Sequence, residues 1–377
     1  MSYRPRVRIA HVTDCYLPRT GGIESQVRAL ANQQAARGDE VHIITASPLG
    51  GGESEVEDAG IAVHRVTMAL PFDLPVHPRT RRRVTQLLAD LSVDAVHIHT
   101  GVISPFAWGG ARAVRNMGIP ALITVHSMWG PLARIGFFLS DLLLHWSSWG
   151  IRISAVSSVA SDRVQETLRS ARCVMIVPNG IDPSLWKVEP GRRNGTVLGL
   201  VTVMRLAPRK RVFPLLRIIK SVADRGVQVH LTVVGDGPDL ARAQRKVRTL
   251  GLSNQVRFAG RCDRQAICSI FADSDVFIQP SVKESFGLAA LEARSAGLPV
   301  VARAQTGTTG FIRDGREGLI ASDDAGMVAA ILRLAGDARL LASISDHNRQ
   351  VPPAETWPSV LRSVDEGYAR FEGDFEE

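Results

Sequence analysis

Cysteine and aromatic residues are scarce in this chain. Four cysteines occur among 377 residues, Cys15, Cys173, Cys262 and Cys268, and no CxxC pair is present. The sequence therefore carries neither a disulfide framework nor a zinc-ligand pattern, and free thiols in a reducing compartment are expected. Aromatics make up 6% of the chain and do not interleave with basic residues. That leaves no stacking platform for single-stranded nucleic acid, and no nucleic-acid partner is expected. No apolar run reaches the ~20 residues of a membrane span. The longest, GFFLSDLLLHWSSWGI at residues 136–151, is interrupted by Asp141 and His145. The N-terminus, MSYRPRVRIAHV, turns at once into a strand pattern and has no cleavable apolar core. A cytoplasmic protein is expected, and neither a short-period repeat nor a low-complexity tract appears.

What is there is an ordinary globular composition, 45% hydrophobic and 22% charged, with a net charge of +8 and a pI of about 9.8. An excess of Arg and Lys suits anionic partners: phosphates, nucleic acid or acidic lipid. The length exceeds one ordinary core, so two domains are expected. RVRIAHV, EVHIITA, IAVHRV, AVHIHT and PALITVH read as strands, and IESQVRALANQQAARG and TRRRVTQLLADL as helices. Such alternation argues for a parallel sheet with helices on both faces. VPNGIDPSLWKVEPGRRNG at 177–195 is rich in Pro, Gly and Asn and reads as a connection. The pattern then restarts with TVLGLVTV, VQVHLTVVGDGP, QVRFAGR, DVFIQPS and LPVVAR. Two Rossmann-like, doubly wound α/β domains are expected, over 1–185 and 186–355. A C-terminal helix at 356–372 should pack back on the first. Ligands in such sheets bind beyond the carboxyl ends of the strands, so the expected site is the cleft between the two domains.

Three stretches carry chemistry. In TDCYLPRTGGIESQV, Gly21 and Gly22 follow the first strand and open a helix. Glycine admits a phosphate close to the backbone, and a helix N-terminus favours an anion; a plain tight turn is the alternative. In VMRLAPRKR, a buried Arg205 and Lys210 at a strand end would suit a pyrophosphate; on this stretch alone a solvated basic loop is the favoured alternative, and Arg209 and Arg211 read as that. In SVKESFGLAALEA, a helix should begin near Gly287, with the N–H groups around Phe286, Gly287 and Leu288 aimed at an anion. Glu284 and Glu292 are eight residues apart, about 12 Å at helical rise. That is about the span from a sugar ring across a pyrophosphate to a ribose. The metal-like triplet DSD at 273–275 falls between a helix and a strand and reads as structural.

The set TGGIE, RLAPRK, VVGDGP and ESFGLAALEA, with VPNGID and IRDGREGLI, resembles the retaining, nucleotide-sugar-dependent glycosyltransferases of family four, which have the GT-B fold. The resemblance covers nearly the whole chain in the right order. It implies that Glu284 contacts the donor sugar hydroxyls and Glu292 the ribose. Arg205 and Lys210 would neutralise the departing diphosphate, and Gly22 would approach the phosphates. His126, in TVHS, would stand beside the sugar. Gly235, Gly260 and Arg261 are the expected base pocket. Two departures stand out: Ser127 follows the histidine where the family often has Asp, and the loop after PVVA reads RAQTGTTGFI.

The implied reaction moves a hexose, of mannose or glucose type, from a GDP- or UDP-sugar to a hydroxyl, with retention. It needs no metal or other cofactor. Arg79, Arg81, Arg82 and Arg83 open a helix whose apolar side holds Leu87, Leu88 and Leu91. With the apolar run nearby, this implies peripheral attachment to an anionic membrane and a lipid or lipid-linked acceptor. A soluble or polysaccharide acceptor is the alternative, and a nucleotide-sugar 2-epimerase a more distant one. A monomer or weak dimer is expected.

Overall fold

The structure, a computed structural model, describes residues 6–19, 21–48, 60–68, 76–170, 173–191 and 197–369. The chain forms two compact units, Met1–Gly180 with Trp357–Glu377, and Ile181–Thr356.

The first unit runs β1 (Arg8–Thr13), α1 (Gly22–Ala36), β2 (Glu40–Thr45), β3 (Ile61–Arg65), α2 (Thr80–Asp90), β4 (Ala95–Thr100), α3 (Pro105–Val114), β5 (Ala121–Val125), α4 (Pro131–Leu144), β6 (Arg152–Ala155), α5 (Ser158–Gln165) and β7 (Met175–Ile176). Its seven parallel strands lie in the order β3-β2-β1-β4-β5-β6-β7. All of β4 is buried, as a parallel strand covered on both faces requires. Helix α1 turns Val27, Leu30, Ala31 and Gln34 inward, the stripe its 3.6-residue period predicts.

The second unit runs β8 (Leu198–Val203), α6 (Val212–Ala223), β9 (Val229–Val234), α7 (Leu240–Thr249), β10 (Val256–Gly260), α8 (Arg264–Ala272), β11 (Val276–Gln279), α9 (Leu288–Ser295), β12 (Val300–Arg303), β13 (Gly318–Ala321), α10 (Asp324–Gly336) and α11 (Ala338–Gln350). Its parallel order is β10-β9-β8-β11-β12-β13. Each sheet reverses its winding once, between β1 and β4 in the first and between β8 and β11 in the second. Loops part at such a point and leave a crevice at the carboxyl edge.

The division falls at Gly180, five residues before the expected 185, because Trp186 is buried and the turn Pro183–Trp186 packs on α9 of the second unit. The last helix, α12 (Trp357–Tyr368), belongs to the first unit. Trp357, Val360 and Val364 pack with Leu30, Leu122 and Val177. Arg37 fixes it by two bonds to Asp365, of 3.0 and 2.8 Å. Strands β6, β7 and β13 were not anticipated. They are four, two and four residues long. The apolar side of α2 lies in the core, with Leu88 fully buried and Leu87 and Leu91 packed against the cluster. The four cysteines are free.

Candidate active site

The carboxyl edge of the second sheet gathers residues from five loops. After β8, the turn Pro208–Lys210 brings the Lys210 ammonium to 2.6 Å from Glu284 Oε2. Gln279, the last residue of β11, donates to the same oxygen at 3.2 Å. The acid and the ammonium are only 12% and 23% exposed, so their pairing is shielded from water far better than a surface pair. Glu284 Oε1 has no protein partner among the described residues. Lys210 has three N–H groups, of which one is used here.

The segment holding Glu284 is pinned from β12. Gly307 donates to the Glu284 carbonyl at 2.8 Å, and a Cβ on Gly307 would lie 2.0 Å from the Ser285 carbonyl oxygen. The departed loop RAQTGTTGFI is thus a backbone brace for the acid. Gly287 caps α9 at φ +98°, where a Cβ would also meet Thr308 Oγ1 at 2.5 Å. Helix α9 starts at Leu288, so Glu284 stands in the loop before it. The helical rise therefore does not describe its separation from Glu292. Glu292 lies on α9 with no side-chain hydrogen bond among the described residues, and burial pushes its carboxyl up to about 8.

Beside the Lys210 loop, Gly235 donates to the Gly260 carbonyl at 2.7 Å. At Gly235, φ is +123° and a Cβ would sit 1.9 Å from the Met204 carbonyl oxygen, so only glycine allows β9 and β8 to exit so closely. Arg261, 82% exposed, pairs with Asp236 at 3.6 Å. Two expectations need correction. Arg205 is exposed, because it points off the short loop that buries Met204 and Leu206. Arg211 is not merely solvated: it holds Asp324 at 2.7 Å, in company with Arg303 at 2.9 Å. The triplet Asp273, Ser274 and Asp275 lies at the opposite edge, where Asp275 accepts from the Gly199 N–H at 2.6 Å.

In the first unit, Gly21 is the residue before α1, Gly22 opens it, and both are exposed. A Cβ at Gly22 would meet nothing within 4 Å, while one at Gly21 would meet the Glu24 carboxylate at 2.4 Å. His126 follows β5 and is the outer member of a histidine chain that sequence reasoning missed. His126 Nε2 lies 3.0 Å from His99 Nδ1. His99 Nε2 lies 2.9 Å from His11 Nδ1, and His11 Nε2 lies 2.7 Å from Gln34 Oε1. Gln34 continues to the Tyr368 hydroxyl, and Tyr368 to His97 Nδ1 at 3.0 Å. His97 Nε2 meets Thr124 Oγ1 at 2.7 Å.

One proton arrangement satisfies every pair. Each histidine is neutral with its proton on Nε2, and each Nδ1 within the chain accepts. Burial pushes His11 and His126 down to about 4. Burial, with neighbouring histidines, also pushes His97 and His99 well below the ordinary histidine value. The chain thereby fixes the tautomer of His126, with Nε2–H turned inward and Nδ1 as an acceptor. The alternation in VHIHT, which sets His97 and His99 on one face of β4, was the available signal. The register opposite His11 was not readable.

The four arginines Arg79, Arg81, Arg82 and Arg83 are exposed at the start of α2. No helix among the described residues is long and apolar enough to cross a membrane.

Two family models match the chain: Glycosyltransferase Family 4 over residues 20–185 and Glycosyl transferases group 1 over residues 189–351. A phosphatidylinositol N-acetylglucosaminyltransferase component of Arabidopsis thaliana is 24% identical, over 98% of this chain and 83% of its own. A GDP-mannose-dependent alpha-mannosyltransferase of Mycolicibacterium smegmatis is 27% identical, over 94% and 95%. Among solved structures, Anabaena HepE, determined with UDP-glucose, superposes with a TM-score of 0.75 at 19% identity, covering 96% of this chain and 99% of that one. Both halves of the chain, their two parallel sheets and their motifs agree: the protein is a glycosyltransferase of family four with the GT-B fold.

Proposed function

We propose that the protein transfers a hexose from a GDP- or UDP-sugar, with retention and without a metal, to a hydroxyl of a lipid or lipid-linked acceptor. The observation that carries this reading is the Lys210–Glu284–Gln279 contact at the β8/β11 reversal. Glu284 Oε1 is poised to accept from a donor-sugar hydroxyl. The two remaining N–H groups of Lys210 face the leaving diphosphate, with the exposed Arg205 as a second cation. Preorganised charge of this kind stabilises the departing group in the transition state. The acceptor attacks from the face the diphosphate leaves, and a phosphate oxygen takes its proton. His126, held as a neutral acceptor by its chain, binds the sugar rather than acting as an acid. The relatives support this choice of substrates, since one is GDP-mannose-dependent and the other is named for phosphatidylinositol. Nucleoside diphosphate release, measured across GDP- and UDP-sugars with and without crude lipid, tests the reading. No release with any donor overturns it.

Two results are expected at this site. Chelation with EDTA leaves turnover unchanged, and manganese adds nothing, because Lys210 and Arg205 supply the positive charge. Loss of activity on chelation, restored by manganese, would contradict this. The second concerns Glu292, which is mostly neutral near pH 7 in the free protein. Ribose hydroxyls donating to it favour the ionised form, so nucleotide binding releases close to one proton. Calorimetry in buffers of different ionisation enthalpy reads that number directly. Glu292→Gln should bind about 10–100-fold more weakly and without the release; an undiminished release in this variant would place the proton elsewhere.

A further inference from the structure

Helix α4 is built inside out. Its only buried residue is Asp141, while Leu132, Ile135, Phe138, Leu139, Leu142 and Leu143 are all exposed, Leu132 by 86% and Leu143 by 77%. A surface helix of a soluble protein shows the reverse pattern. The inversion is held in place by hydrogen bonds and ring stacking. Asp141 accepts from the Ser147 N–H and hydroxyl, both at 2.8 Å, and from the Arg169 N–H at 3.0 Å. These three donors offset the cost of burying a carboxylate. On the same inner side, Phe137 stacks on Trp129 with ring centroids 3.8 Å apart.

Behind α4 lies a cavity of about 340 Å³, lined mainly by Trp108, Phe137, Leu144, Trp146, Trp149 and Arg112. The indole N–H of Trp108 has no acceptor among the described residues. The surroundings are cationic. Arg112 is at the cavity, and Arg115 lies 5.3 Å from the Trp149 ring centroid. Gly109, which also lines the cavity, touches Thr80, the first residue of the helix that presents Arg81, Arg82 and Arg83.

We propose that α4 seats in the interfacial layer of an anionic bilayer and that the cavity behind it takes one hydrocarbon chain of a phospholipid. The proposal rests on the preceding reading for the lipid nature of the acceptor and adds where a chain is held. Charge decides the occupant. A second copy laid on this face would bring two arginine-rich rims together, and like charges so placed cost several kcal/mol. An anionic lipid surface attracts each such arginine by about 1 kcal/mol and offers hydrocarbon to the six apolar side chains.

Tryptophan emission tests this. Trp108, Trp129, Trp146 and Trp149, four of the six tryptophans, surround or back the cavity. Phosphatidylglycerol vesicles with brominated chains should quench this emission, and unbrominated ones should not. Phosphatidylcholine vesicles should bind weakly. The triple variant Ile135→Ser, Leu139→Ser, Leu143→Ser should lose at least about tenfold in vesicle affinity. Its melting temperature and donor-only nucleotide release should not change, since these side chains are exposed and distant in the chain from the donor site. Binding without quenching would overturn the chain site. Negligible sedimentation with anionic vesicles would overturn the docking, as would a dimer in ultracentrifugation that the triple variant dissociates. Loss of donor-only release in the parent protein is a different failure, that of the transferase reading.

Discussion

Lys210→Ala and Glu284→Ala should each reduce turnover by about 10²–10³-fold, or about 2.7–4 kcal/mol, the cost of removing one preorganised contact from a developing charge. The two residues are 74 positions apart in sequence and 2.6 Å apart in space. Each variant leaves the other charge partly buried without its counter-charge, Glu284 keeping only the Gln279 bond, so part of the loss is misplacement of the survivor. The double variant should therefore lose far less than the product of the single effects. Single-turnover measurements at saturating donor separate the roles. Lys210→Ala acts on the leaving group and lowers the chemical step. Glu284→Ala also weakens sugar binding and raises KM for the sugar nucleotide more than Kd for the nucleotide alone. Both side chains are near the carboxyl edge rather than in the core, so melting should change little. Near wild-type turnover in either variant, with fold intact, removes that residue from the site.

The contrast between α2 and α4 shows what sequence could and could not say. In α2 the apolar positions Val84 and Leu88 are both buried, as periodicity indicates. In α4 apolar residues face out, because a run apolar on nearly all sides has no period to orient it, and the Asp141 hydrogen bonds with the Phe137–Trp129 stack choose the face. Strand–helix alternation was legible where β-branched and apolar residues clustered, even in the four-residue β11 and β12. The two-residue β7 offered nothing to read. Glu284, Lys210 and Glu292 were legible through their motifs, not through geometry. Spacing alone placed both acids on one helix, whereas Gly287 starts α9 only after Glu284. Gln279 and the chain His11–His99–His126 depend on strand register and on side chains 88 residues apart, which no local pattern encodes.

IRDGREGLI, one of the motifs of the family resemblance, holds a group whose part is structural. Glu317 is fully buried immediately before β13. It accepts from the Arg313 N–H at 2.9 Å and its guanidinium at 2.5 Å, and lies 3.2 Å from His347 and 3.9 Å from the buried Arg294. Burial alone would push its carboxyl up. The Arg313 donors, His347 and Arg294 outweigh that and hold it at about 2. Glu317→Gln takes the nearer counter-charge from the buried Arg294, leaving it only the more distant Glu355, and should cost about 3–5 kcal/mol of stability. The sign in pH follows from the depressed value. The contribution is fully present above the ordinary glutamate pKa near 4.5. It is lost as pH falls from there through about 2, so the gap between parent and variant should close in that window. The Glu317 carbonyl also ties β12 to α11 through Val300 and Asn348, and the loop leaving β12 braces Glu284. The Gln variant keeps those backbone bonds. Its folded fraction should therefore bind nucleotide as the parent does, while denaturant melts show the loss. Unchanged melts would mean that Arg294 finds another partner; weakened nucleotide binding at full folding would mean that the clamp reaches the site.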